Sequence, residues 1–178
     1  MNVKLSSSRM ALCGVTAALA VVVMSLGGII PFATFCCPIL AMLFTVPIAV
    51  ECPKKLALTL YGAIALLSLL LAGDKEASFL YLFLGYYPFL RPGLEKIRPR
   101  ILRLLAKHAI FTCAVVAMYL LLIFVFRLEA VAEELQSAGA VLNGALLVMG
   151  NIVFYVFDLV LFRFTHLYAA KWRKRLFK

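Results

Sequence analysis

Three polar side chains interrupt an otherwise apolar stretch late in the chain: Asn143, Asn151 and Asp158. At ~100° per residue, Asn151 and Asp158 lie about 20° apart around a helix, and Asn143 lies within about 80° of both. All three therefore share one face, with Tyr155 beside it. Such a face can knit one helix to another by hydrogen bonds, or it can line a site for a polar solute. Asn143 and Asn151 fit either role. Asp158 falls close to basic segments, and an ion pair suits it better. A second candidate is the aromatic run of Phe79, Tyr81, Phe83, Tyr86, Tyr87 and Phe89. These rings suit a membrane interface, or they offer a surface on which an aromatic solute stacks, with Tyr81 as the solute contact.

Little else has the residues for catalysis. His108 and His166 are the only histidines, and each is expected near an interface in a structural role. There is no His-Glu-x-x-His, no Gly-x-Ser-x-Gly, no Gly-rich phosphate loop and no pair of glutamates on an apolar helix. The expectation is a protein that is not an enzyme and uses no cofactor and no metal. The adjacent Cys36 and Cys37 could hold a soft metal or respond to oxidation. With no His or carboxylate nearby, they read as packing residues. Of the 5 cysteines, those in or beside apolar runs are expected to act as small reduced hydrophobes.

The elements that must position these groups are set by hydropathy. Of 178 residues, 65% are hydrophobic and 15% charged, with a mean hydropathy of +1.05. A water-facing surface is hard to build from such a composition, and lipid is the solvent it fits. Apolar segments lie at about 10–30, 35–50, 56–72, 77–90, 104–126 and 139–162. The second carries Pro38 and Pro47, and the fourth Gly85 and Pro88, which kink or end a helix.

Charge supports all six as crossings. With the amino terminus inside, Lys4, Arg9, Lys54, Lys55, the basic segment 91–103 extended to Lys107, and the basic tail 163–178 all fall inside. Only Lys75 and Arg127 of the 18 basic residues then lie outside, as the positive-inside rule requires. Dropping either short segment inverts the later clusters. The net charge of +10 is thereby explained by topology, and nucleic acid is not an expected partner. The expected fold is an all-α integral membrane protein, one compact domain over 1–178. It is a bundle of six transmembrane helices with both termini cytoplasmic. Residues 127–138 read as a short amphipathic helix at the outer interface, with Leu128, Val131 and Leu135 on one side. A helix from Arg100 to Phe126 would be about 40 Å long, reaching beyond the hydrocarbon core. Its basic approach, 91–107, suits anionic lipid or a cytoplasmic partner.

The first helix carries small residues at close spacing: Ala11, Gly14, Ala17 and Ala18. Such a patch lets another helix approach closely, within the bundle or from a second protein. The run Ser8-Arg-Met-Ala-Leu-Cys-Gly-Val-Thr-Ala-Ala-Leu-Ala-Val-Val-Val23, with Ile29-Ile-Pro-Phe32 after it, resembles the S components of energy-coupling factor transporters. These are small six-helix membrane subunits that capture vitamins or metal ions. The resemblance implies a multi-pass protein of a bacterial plasma membrane that takes a small polar or aromatic solute from outside. It also implies docking on a transmembrane coupling subunit and ATPase subunits, with Ala11, Gly14 and Ala18 as the contact. None of the family's vitamin or cobalt fingerprints is present, so no ligand residue carries over. A non-transporting membrane scaffold or assembly protein, its basic inner face meeting a cytoplasmic partner, stands as the alternative.

Overall fold

The computed structural model of the chain describes residues 7–28, 33–127 and 129–172, with the backbone alone for 129–132, 134 and 172. Every regular element among them is helical. In order they are α1 (Ser7–Leu26), α2 (Ala33–Phe44), α3 (Val46–Glu51), α4 (Lys54–Leu71), α5 (Lys75–Leu84), α6 (Tyr87–Leu94), α7 (Arg100–Phe124) and α8 (Glu129–Leu167). A π-helical turn, Tyr168–Trp172, ends the series. The tetrapeptide at 29–32, Leu128, Lys4 and the tail beyond Trp172 lie outside the described residues, as do the side chains of Val131, Glu129 and Glu134.

Local chemistry sets the boundaries. Pro53 and Pro99 stand at the N-caps of α4 and α7 in extended conformation, where a residue without an N–H costs nothing. Asp74 caps α5 by accepting from the Ala77 N–H at 3.1 Å. The second apolar segment is divided between α2 and α3 at Thr45. Pro47 has no N–H to offer the Leu43 carbonyl, so the ladder breaks there, and the Thr45 hydroxyl separately donates to the Met42 carbonyl at 2.7 Å. Gly139, at φ 70° and ψ 166°, separates the first turns of α8 from the long apolar remainder. That is where the sequence divides an amphipathic helix from the sixth apolar segment.

Five helical stretches are long and apolar enough to cross a membrane: Ser7–Leu26, Ala33–Glu51, Lys54–Leu71, Arg100–Phe124 and Leu135–Lys171. The fourth segment, expected as one helix over 77–90, is instead α5 and α6 with a turn at Gly85 and Tyr86. Pro88 leaves nothing to bond the Leu84 carbonyl, and the Gly85 N–H bonds the Tyr81 carbonyl at 2.6 Å. A Cβ at Gly85 would lie 2.5 Å from that carbonyl and 3.0 Å from the rings of both Tyr61 and Tyr81. Only glycine lets those rings close over the turn.

The chain forms two compact units, Met1–Gly93 with Leu159–Lys178, and Leu94–Asp158. In the first, α1 packs on α2, α3 and α4, and α5 packs on α2 and α4. Its core is small and tight, with Ala20, Met24, Ala41, Ile48, Ile64, Ala65 and Tyr81 all buried. Cys13 and Cys52 meet there as a disulfide in a cluster with Ile48 and Ala57. This corrects the expectation that both are reduced packing residues. The hydropathic pattern marks them as apolar but carries no sign that α1 lies against the α3–α4 corner. Cys36 and Cys113 are exposed and Cys37 is buried, all three as free thiols. In the second unit α7 and the apolar part of α8 run antiparallel, with the Phe111 and Phe154 rings stacked 4.6 Å apart. Large apolar side chains such as Leu66, Leu70, Phe124 and Val141 face outward, which is a surface suited to lipid rather than water.

Candidate functional site

Among the described residues, a polar constellation lies between α7 and α8 in the second unit. On α7, His108 and Thr112 are four residues apart and share a face, with Lys107 next to His108 in the chain. On α8, Asn151, Phe154 and Asp158 have the three-four spacing that turns them to one side. The Asn151 Nδ2 donates to the Leu147 carbonyl at 3.0 Å and to the Thr112 hydroxyl at 3.2 Å. A carbonyl only accepts, so these contacts orient the amide and leave Oδ1 facing His108 Nδ1 at 2.9 Å. In the neutral ring the proton then sits on Nδ1, and Nε2 is the ring's remaining acceptor. The imidazole lies parallel to Tyr155, with centroids 6.4 Å apart, and edge-on to Phe154 at 5.9 Å.

Immediately before His108 on α7, the Lys107 ammonium donates to Glu95 Oε1 and to Asp158 Oδ2, both at 2.7 Å. Arg103 adds an ion pair to the other Glu95 oxygen at 3.2 Å. Asp158 thus has the cationic partner expected from its position near basic segments. Chemically, the pair of carboxylates around one ammonium fixes the loop before α7 and the end of this part of α8 to the same point.

The residues singled out as solute contacts fall in three different settings. Asn151 is committed to the α7–α8 seam. Asn143 donates to the Leu135 carbonyl at 2.7 Å, bridging the break at Gly139 within α8. Tyr81 belongs to the first unit, where it is fully buried with its hydroxyl lacking a hydrogen-bond partner among the described residues. It packs against Tyr61 with centroids 6.0 Å apart, and Tyr61 in turn donates its hydroxyl to the Leu82 carbonyl and meets Tyr86 and Phe89. The patch on α1 is open: Ala11, Gly14 and Ala18 are exposed, and a Cβ on Gly14 would meet nothing within 4 Å.

Several groups escape a reading of the sequence. Lys107 is a buried cation, whereas the charge pattern grouped it with the basic segment expected to meet anionic lipid or a cytoplasmic partner. Glu51 is buried and paired with Arg9 at 3.6 Å, although the sequence shows only a carboxylate at the end of an apolar run. A charged residue bounding an apolar segment is the available signal, and it does not reveal which way the side chain turns. Neither a family model, nor a curated protein, nor a solved structure matches the chain.

If the seam is structural, Asn151→Leu strands the His108 Nδ1–H and the Thr112 hydroxyl. The expected loss is about 1–2 kcal/mol, read as a lowered midpoint of thermal unfolding in detergent. An unchanged midpoint would instead mark the amide as expendable to the fold and free it for a solute role.

Proposed function

We propose that the protein is a multi-pass membrane protein with six crossings and both termini in the cytoplasm. It serves as the solute-capturing S component of an energy-coupling factor transporter. The broken pair α5–α6 makes the fourth crossing, and α1 is the helix that meets the coupling subunit. The observation that carries this reading is the open face of α1. The exposed small residues Ala11, Gly14 and Ala18 leave room for a second helix at backbone distance, and a Cβ added at Gly14 would meet no atom of the protein within 4 Å. The charge distribution supports the orientation.

The test has two arms. Reporters fused after Glu134 and after Lys178 are expected to give external and cytoplasmic signals respectively. Equal signals would end the six-crossing arrangement. Gly14→Leu and Ala18→Trp are expected to leave the unfolding midpoint in detergent unchanged while abolishing co-purification with ATPase and coupling subunits. A lowered midpoint would mean that the patch packs within the fold, contrary to the reading.

The hydrogen-bonded closure of Asn151 favours a second reading, a non-transporting membrane scaffold or assembly protein using the same helix to bind its partner. Native mass spectrometry of the gently solubilised protein separates the two. A bound small molecule together with ATPase subunits belongs to the first, and a protein partner alone to the second.

A further inference from the structure

The basic residues between Arg91 and Lys107 divide into two populations. Three are turned inward. The Arg91 guanidinium lies 5.0 Å from the centre of the Phe162 ring, Arg103 pairs with Glu95, and Lys107 pairs with Glu95 and Asp158. The other three, Lys96, Arg98 and Arg100, are exposed and have no ion-pair or hydrogen-bond partner among the described residues. Glu95, the one carboxylate in this stretch, is held by Arg103 and Lys107 and is thereby kept from neutralising the triad. The three cations fall within five residues, a reach of about 14 Å even when fully extended.

The residues immediately after the triad are apolar and equally uncovered. Ile101, Leu102 and Leu105, in the first turns of α7, are 77%, 55% and 61% exposed. A cationic surface that binds the phosphates of a nucleic acid works by charge and does not call for bare aliphatic side chains beside it. A surface at the level of lipid headgroups requires both, with ammonium and guanidinium groups at the phosphates and aliphatic groups toward the acyl chains. From this juxtaposition we infer that Lys96, Arg98 and Arg100, with Ile101, Leu102 and Leu105, form a docking surface for anionic phospholipid. The triad selects negatively charged headgroups over zwitterionic ones. The inference rests on the reading of the chain as a membrane protein with this segment at the inner face.

An exposed Lys or Arg at an anionic membrane surface gives roughly a fivefold preference, so three cations give on the order of 100-fold. The experiment uses the full-length protein, reconstituted in bilayers of equal parts phosphatidylcholine and phosphatidylglycerol and then gently extracted. The lipids retained on it are measured by mass spectrometry. The native protein is expected to retain phosphatidylglycerol well above its share of the bilayer, and raised salt is expected to reduce that excess. The variant Lys96→Gln/Arg98→Gln/Arg100→Gln is expected to lose the excess while unfolding at the native midpoint in phosphatidylcholine alone. Lys171→Gln, which removes an exposed cation elsewhere, is expected to keep it. Incorporation without any excess, or the same excess in the triple variant, overturns the inference while leaving the membrane reading intact. Equal capture of an acidic protein by the native chain, with indifference to lipid charge, overturns it as well. Failure to enter even phosphatidylcholine bilayers overturns both.

Discussion

Reduction of the Cys13–Cys52 bond is expected to lower stability by about 4 kcal/mol, the chain entropy released when a loop of this size is opened. The two cysteines are 39 residues apart, so the bond ties α1 to the corner between α3 and α4 across the whole of α2. Both are buried beside Ile48 and Ala57, and the Arg9–Glu51 ion pair lies close by in sequence on each side. The unfolding midpoint in detergent should fall on adding a thiol reductant. Cys13→Ser, Cys52→Ser and the double variant should all start from the lower midpoint and ignore the reductant. Because one bond accounts for all three, the double variant adds nothing to either single one. A midpoint in the native protein that is blind to reductant, with thiol-reactive label entering both positions, would sink this expectation. In the proposed orientation the pair lies toward the inner face, where thiols are kept reduced. The stabilisation is then realised in the oxidised protein alone.

The second large effect belongs to Lys107→Met, for which a loss of about 3 kcal/mol is expected. Removing one member of a buried ion pair leaves the opposite charge without compensation, which typically costs about 3–5 kcal/mol. The lower end applies here because exposure decides how much of that cost is felt. The Lys107 side chain is 7% exposed and that of Asp158 17%, but Glu95 keeps 31% and its pair with Arg103. Met retains most of the aliphatic length, so the loss is electrostatic rather than a cavity. The discriminating measurement is a double-mutant cycle with Asp158→Asn, read by thermal unfolding in detergent. Non-additivity of about 1 kcal/mol or more, within the range for contacting charged pairs, is the expected result. Strict additivity would show that the ammonium and the Asp158 carboxylate do not share their energy.

These two groups also mark the border between local and tertiary information. The helices and their interruptions are legible in the chain because each depends on a missing N–H, a capping residue or a backbone angle within a few positions. Pro53 and Pro99 open α4 and α7, Asp74 caps α5, Pro47 divides α2 from α3, and Gly139 divides α8. Gly85 and Pro88 announce a kink in the fourth segment. That the kink becomes a full turn depends on the Tyr61 and Tyr81 rings closing over Gly85, and Tyr61 comes from another helix.

The shared face of Asn143, Asn151 and Asp158 is likewise readable from a period of about 3.6. Periodicity states which residues of a helix look the same way. It is silent on which neighbour they look at, because nothing in the covalent chain relates the rotation of one helix to that of another. The helical class, the breaks, the small-residue stripe on α1 and the candidate polar face on α8 are therefore matters of sequence. The pairing of Asn151 with His108 at a separation of 43 residues, of Asp158 with Lys107 at 51, and of Cys13 with Cys52 emerges with the packed structure. Such partners are chosen by the close packing of side chains along two whole helices, a sum over many contacts that no single position carries.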